Sequence, residues 1–224
     1  MKIAYIDTET TGLNPKKHGI IQLACLIVED HKIIDQIDLL IDPFSYKEDC
    51  QCDDKALEIN GRCIEEIGGF PNSDSQLENF CNFLSGHIED GTLQIAGYNI
   101  EFDIGFIKEW FDSCDVPFKD FFNYKNLDIL SLVRHIEYFA ADVFELENHK
   151  LSTVCERLDI ELDAHNAMND IIATFYAHEK IRVLMAFGFD IEDGHMFEGN
   201  GCKVCGKWVQ GDLCRECAGE HNDK

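Results

Sequence analysis

The first forty residues constrain the fold most. KIAYID, GIIQLACLIVED and KIIDQIDLLID are three runs rich in Ile, Leu and Val, separated by TGLNPKKHG and EDHK. Segments of this length, with turn residues between them, suit β-strands joined as antiparallel hairpins. An N-terminal meander is expected. The pattern then changes period. Between Pro43 and Pro71 it is irregular and acidic, with short helical stretches around DDKALEING and CIEEIGG. SDSQLENFCNFLSGHI places Leu77, Phe80, Phe83 and Leu84 at helical spacing behind Ser73 or Ser75 as a cap.

LQIAGYN reads as a short buried strand, followed by a helix over EFDIGFIKEWFDSC with Phe102, Phe106, Ile107, Trp110 and Phe111 on its apolar side. Two further helices are expected, LDILSLVRHIEYFA capped by Asp128 and KLSTVCERLDI behind Ser152 or Thr153. Strands first, then helices alternating with a strand, predict an α/β layer fold. Residues 186–201, rich in Gly and acid, read as a linker between a domain over 1–185 and a module over 202–224.

Composition narrows the function classes. Forty-three acidic against 19 basic residues give a formal charge of −24, the opposite of the basic balance with which proteins grip duplex phosphates. Strong non-specific DNA binding is not expected. Residues 1–6 lack signal-peptide character, no apolar run approaches membrane-spanning length, and an odd total of 11 cysteines points to a reducing compartment. A cytoplasmic protein without membrane contact is the expectation, its body cysteines acting mainly as small apolar residues.

Strand alternation puts Asp7 and Glu9 on the same side, about 7 Å apart. Two like charges so placed call for a proton or a cation, and oxygen donors without nearby Cys or His suit Mg²⁺ or Mn²⁺. An acidic pair alone is more often a solvated turn. Asp103 falls in the first turn of a helix, where it has a capping role as readily as a functional one. His165 and Asp170, five residues apart, are separated by about 140° on an ideal helix. They converge only if His165 lies on the preceding loop.

Taken together and in order, IDTETTGL, GYNIEFDIGF and HNAMND resemble the three motifs of the DEDDh exonucleases, the DnaQ-like branch of the RNase H-like fold. The resemblance spans roughly residues 1–182 and extends to ALEING, LDILSLVRH and KLSTVCERLDI. It implies a mixed sheet flanked by helices, with Asp7, Glu9, Asp103 and Asp170 holding two divalent ions and His165 acting as general base. The implied reaction is 3'→5' hydrolysis of a single-stranded end to nucleoside monophosphates, DNA favoured slightly over RNA. Thr10, Thr11 and Asn99 are the implied substrate contacts, and Leu13 is either a wedge beside the terminal base or core. Tyr98 stands where many relatives have His, Glu101 adds an acid, and Asn60-Gly61 replaces His-Gly, so substrate preference does not transfer. An RNA 3'-end trimmer is the alternative enzyme, and a binding module without catalysis the alternative of another class. A polymerase is a candidate protein partner.

Cys202, Cys205, Cys214 and Cys217 form C-x2-C-x8-C-x2-C. Four thiolates so spaced can enclose one tetrahedral Zn²⁺ as in a zinc ribbon, with no open position for water. The intervening KWVQGDL is long enough for a small hairpin, with Trp208 either stacking on a base or covering the module.

Overall fold

The computed structural model describes residues 2–187 other than 90, 142 and 143, together with the backbone of Gly199–Gly201 and Trp208–Gln210. It divides into two compact units, Met1–Arg182 and Val183–Lys224. In the first, the meander forms as expected: β1 (Ile3–Thr10), β2 (Ile20–Glu29) and β3 (Lys32–Leu40) pair antiparallel in succession. Asp30 and His31, at φ 49° and 64°, make the two-residue turn between β2 and β3. Both occupy left-handed conformations, which follow the twist of a tight hairpin.

Short helices α1 (Asp54–Asn60) and α2 (Ile64–Ile67) fill the irregular region. Gly61, at φ 63°, ends α1: its N–H donates to the Glu58 carbonyl and the Arg62 N–H donates to that of Leu57. Next come α3 (Ser73–Ser85), β4 (Gln94–Gly97), α4 (Glu101–Ser113), β5 (Leu127–Asp128), α5 (Ile129–Phe139), α6 (Leu151–Arg157) and α7 (Ala167–Phe187). Strands β4 and β5 join in parallel, completing a five-stranded sheet in the order β3-β2-β1-β4-β5.

Each face of β1 packs on a different set of helices. Ala4 and Ile6 join Phe80 and Leu84 of α3 and Ile104, Phe106, Ile107, Trp110 and Phe111 of α4 in one core. Each fully buried Ile, Leu or Phe among them contributes about 1.5–3 kcal/mol. On the other face Tyr5 meets Phe175 of α7 edge to face at 5.6 Å and its hydroxyl bonds His178 Nδ1 at 2.5 Å. Gly97 closes the β1–β4 seam, where a Cβ would lie 2.6 Å from the Ile6 carbonyl oxygen. Only glycine permits that approach.

Three expected caps differ in detail. Asn72, not Ser73 or Ser75, caps α3 by accepting from the Asp74 N–H; Ser73 is buried instead, its hydroxyl accepting from Trp110 Nε1 at 2.7 Å. Helix α6 begins ahead of Ser152, and Asn148 Oδ1 accepts from the Lys150 N–H and the Thr153 hydroxyl. Asp128 occupies the position before α5, but its carboxylate takes other partners, described below.

In the second unit, β6 (Gly199–Gly201) pairs antiparallel with β7 (Trp208–Gln210). The pair brackets Cys202 and Cys205 in sequence, and its second strand lies within KWVQGDL. The four cysteines lie outside the described residues, as does most of the expected linker. Among the described residues no helix is long and apolar enough to cross a membrane.

Candidate active site

Strand β1 pairs with β4 only as far as Tyr5↔Ala96, then continues alone on that side to Thr10. This opening at the carboxyl ends of parallel strands is where α/β sheets place their sites. Asp7 and Glu9 project from it on the face that carries α7. A register shift against β2 follows Glu9, and such irregularities re-aim side chains at strand ends.

Asp103 reaches the same opening from the first turn of α4. It is 3% exposed, and its Oδ1 accepts from the Thr8 backbone N–H at 2.9 Å and the Thr8 hydroxyl at 2.7 Å. The two bonds satisfy a strand N–H that β4 has left behind and hold the carboxylate in place.

Asn166 starts α7, its Oδ1 accepting from the N–H groups of Met168 and Asn169. His165 therefore lies just outside the helix, in a left-handed conformation at φ 70°, while Asp170 sits in the first turn. Had both lain within the helix, about 140° would separate them. The His165 backbone N–H donates to the Asp170 carboxylate, tying the loop to the helix.

Asp7, Glu9 and Asp170 thus each offer an oxygen to one point, the three atoms lying within 4.8 Å of one another. Asp103 stands outside this triplet but acts on it electrostatically. Burial and then the charges of Asp103, Asp170 and Glu9 push Asp7 well above the usual carboxylate range. Burial also raises Glu9 to about 7, reinforced by Asp170 and Asp103 and opposed by Arg62. Asp103 is driven up by burial against the pull of its hydrogen bonds, chiefly those from Thr8. Asp170 is raised by burial, and His165 opposes the rise.

The arrangement is unfavourable for four anions without a counter-charge. Asp170 Oδ1 is buried with no hydrogen-bond partner, a rare condition for a carboxylate oxygen. Converging oxygens, an orphaned acceptor and mutual repulsion all fit a hard divalent cation.

The other expected residues are placed differently. Thr11 is fully buried: its hydroxyl donates to the Gln51 carbonyl at 2.7 Å and accepts from the Gly19 N–H at 3.0 Å. The Thr10 hydroxyl donates to the Gly12 carbonyl. Both side chains brace the loop after β1. Asn99 is exposed at φ 59°, with its N–H donating to Asp128 Oδ1 at 2.8 Å. Asp128 Oδ2 accepts from the Ser131 hydroxyl, so this carboxylate fastens the loop before α4 to the start of α5 and does not cap the helix through its backbone. Leu13 is 79% exposed and outside the core. The Tyr98 hydroxyl donates to the His149 carbonyl, Glu101 accepts from the Asn126 amide, and the Asn60 amide donates to the Thr10 carbonyl.

Sequence reading missed Thr8, Asn166 and Arg62. Asn166 carries the ordinary N-cap signal of Asn before a helix. Arg62 stands out only as one of few basic residues near a motif.

Proteins of known sequence and structure resemble this chain. The chain is 29% identical over 189 residues to the PolC-type DNA polymerase III of Bacillus cereus, covering 84% of this chain and 12% of that one. With the PolC-type polymerase of Halalkalibacterium halodurans it is 30% identical over 171 residues, covering 75% and 10%. It therefore spans about a tenth of the length of these relatives. In structure it superposes on E. coli Exonuclease I in complex with a dT13 oligonucleotide with a TM-score of 0.69 at 18% identity, over 81% of this chain and 41% of that one. That likeness shows a shared fold. The exonuclease family model, RNase_T, matches residues 4–177, and the chain belongs to that exonuclease family.

Proposed function

We propose that the domain is a 3'→5' exonuclease that hydrolyses single-stranded nucleic acid, DNA in preference to RNA, to nucleoside monophosphates. The observation that carries this reading is the convergence of Asp7, Glu9 and Asp170 beside buried Asp103. These four carboxylates would hold two Mg²⁺ or Mn²⁺ ions, which when bound supply activation of water and stabilisation of the leaving oxygen. His165 takes the proton from the attacking water, a task its imidazole nitrogen can perform as an acceptor. Because its backbone is tied to the Asp170 carboxylate, the base and a metal ligand keep a fixed relation. Thr8 favours the ionised form of Asp103 against the effect of its burial, and Asp128 steadies the loop that delivers it.

A single-stranded DNA substrate is supported by the fold shared with Exonuclease I, whose structures include an ssDNA complex. Similarity to segments of DNA polymerases makes a polymerase the protein partner we propose. A charge of −24 opposes capture of long polyanions and fits delivery of a frayed end by a partner. For the second unit we propose one structural Zn²⁺ held by Cys202, Cys205, Cys214 and Cys217.

Digestion of labelled single- and double-stranded DNA and RNA, each blocked at one end, tests the reading. The expected result is Mg²⁺- or Mn²⁺-dependent release of mononucleotides from free 3' ends of single-stranded DNA. Degradation of 3'-blocked strands from the 5' end overturns the polarity, and faster digestion of RNA moves the assignment to RNA trimming.

A further inference from the structure

Cys50 and Cys52 are both partly exposed, and their thiols hydrogen-bond each other across the single residue Gln51. The Cys50 sulfur also lies 3.6 Å from the Thr11 hydroxyl oxygen and 3.6 Å from the Gln51 carbonyl oxygen. Gln51 itself joins two segments. Its N–H donates to the Lys17 carbonyl at 2.8 Å and its carbonyl accepts from the Thr11 hydroxyl at 2.7 Å, while the Asp53 N–H donates to the Thr11 carbonyl at 2.8 Å. The segment that holds the two thiols is therefore one that fastens the loop after β1, and Thr11 stands two residues beyond Glu9.

Two thiols already in contact need only a small movement to reach the disulfide length of about 2.05 Å. With hydrogen peroxide as oxidant, one thiolate attacks a peroxide oxygen, the O–O bond breaks and the sulfur becomes a sulfenic acid. The released hydroxide takes up the thiol's proton and leaves as water. The second thiolate then attacks the oxidised sulfur, the S–O bond breaks, and a second water leaves in the same way. Two electrons pass from the sulfurs to the peroxide. Closing this small ring turns the peptide groups on either side of Gln51, which are the groups bonded to Lys17 and Thr11. A bridge so strained is also readily reduced. Burial raises both thiols and the Thr11 hydroxyl opposes the rise, so thiolate is scarce at neutral pH and oxidation gains speed as pH increases.

We propose that Cys50 and Cys52 are a modification site for hydroperoxides, closing to a reversible disulfide that loosens the Thr11 anchor and slows the nuclease. The bridge stands on the thiol geometry, whereas the loss of activity rests on the exonuclease reading.

Trypsin cleaves after Lys47 and Lys55, so a single peptide, residues 48–55, carries both cysteines and no others. Full-length protein is treated with hydrogen peroxide, its remaining free thiols are alkylated, and that peptide is measured by mass spectrometry. The expected result is a peptide lighter by two hydrogens and without alkyl groups, which dithiothreitol returns to the doubly alkylated form. Mg²⁺-dependent release of mononucleotides should fall about tenfold on oxidation, the scale of one or two hydrogen bonds lost at the anchor, and recover with dithiothreitol. Cys52→Ser replaces the thiol by a hydroxyl and should match reduced wild-type protein before and after peroxide; Cys50→Ser supplies the comparison if Cys52→Ser fails to melt cooperatively. A peptide that stays doubly alkylated, or oxidises to sulfinic or sulfonic acid without bridging, overturns the modification site. A Cys52→Ser variant inhibited as strongly as wild type, or a bridged protein of full activity, overturns the control of the nuclease. Reduced protein that releases nothing removes the exonuclease reading, and the loss of activity with it, while the peptide mass still decides the bridge, so the failures are distinct.

Discussion

Asp103 accepts both the backbone N–H and the hydroxyl of Thr8, at 2.9 and 2.7 Å, at the point where β1 has parted from β4. The hydroxyl is the part a mutation can remove. Thr8→Val preserves the strand and the backbone bond but deprives an already unfavourable carboxylate of one donor. Since hydrogen bonds to charged groups contribute about 1.5–3 kcal/mol, the Mg²⁺ concentration for half-maximal activity should rise about tenfold or more. Titration of nuclease activity with Mg²⁺ checks this.

Asp7→Asn removes one member of the converging triplet. Metal-dependent mononucleotide release should fall at least about a thousandfold, while a thermal melt of the metal-free protein should show unchanged or higher stability, because a like-charge repulsion has gone. Retained activity would mean that the site lies elsewhere.

His165 is exposed on the loop before α7, so His165→Ala leaves the core untouched. With the loss of a general base, kcat should drop about 10²–10⁴-fold with KM within a few fold. Steady-state kinetics on a single-stranded oligonucleotide separate the two; a pure KM effect would take His165 out of the base role.

Glu9 titrates near 7 in the metal-free fold against an ordinary 4.5, which fixes the sign of a pH effect. Between these values the folded state binds more protons than the unfolded chain, so stability falls as pH rises through that window. Melts of chelator-treated protein from pH 5 to pH 8 should show this decline, and Mg²⁺ should restore most stability at the upper end. Glu9→Gln should flatten the slope. A slope unchanged in that variant would show that Glu9 is not the group responsible.

Purified protein should carry about one zinc ion per chain, absent from a Cys202→Ser/Cys205→Ser variant. Metal analysis by mass spectrometry reads this directly, and zinc-free wild-type protein would contradict the proposed module.

The sequence by itself determined the N-terminal meander, β4 and the helices around it, though not the two-residue β5, and by resemblance to a family's motifs it singled out Asp7, Glu9, Asp103, His165 and Asp170 as candidates. Alternation, helical periodicity and motif order are local properties that survive without knowledge of the partners. Helix geometry made the division of His165 from Asp170 a condition for their convergence. What only tertiary structure decided are relations between residues far apart in the chain. Thr11, legible as a substrate contact, is buried because its hydroxyl meets the Gln51 carbonyl forty residues on. Asp128, legible as a cap, instead accepts from Asn99 and Ser131. Thr8 faces away from Asp7 on its strand and gained a role only when α4 carried Asp103 to the parted edge. Arg62 acts on Glu9 because the fold brings the end of α1 to the end of β1. A side chain's residue type sets which bonds it can make, but the fold decides which partner arrives first.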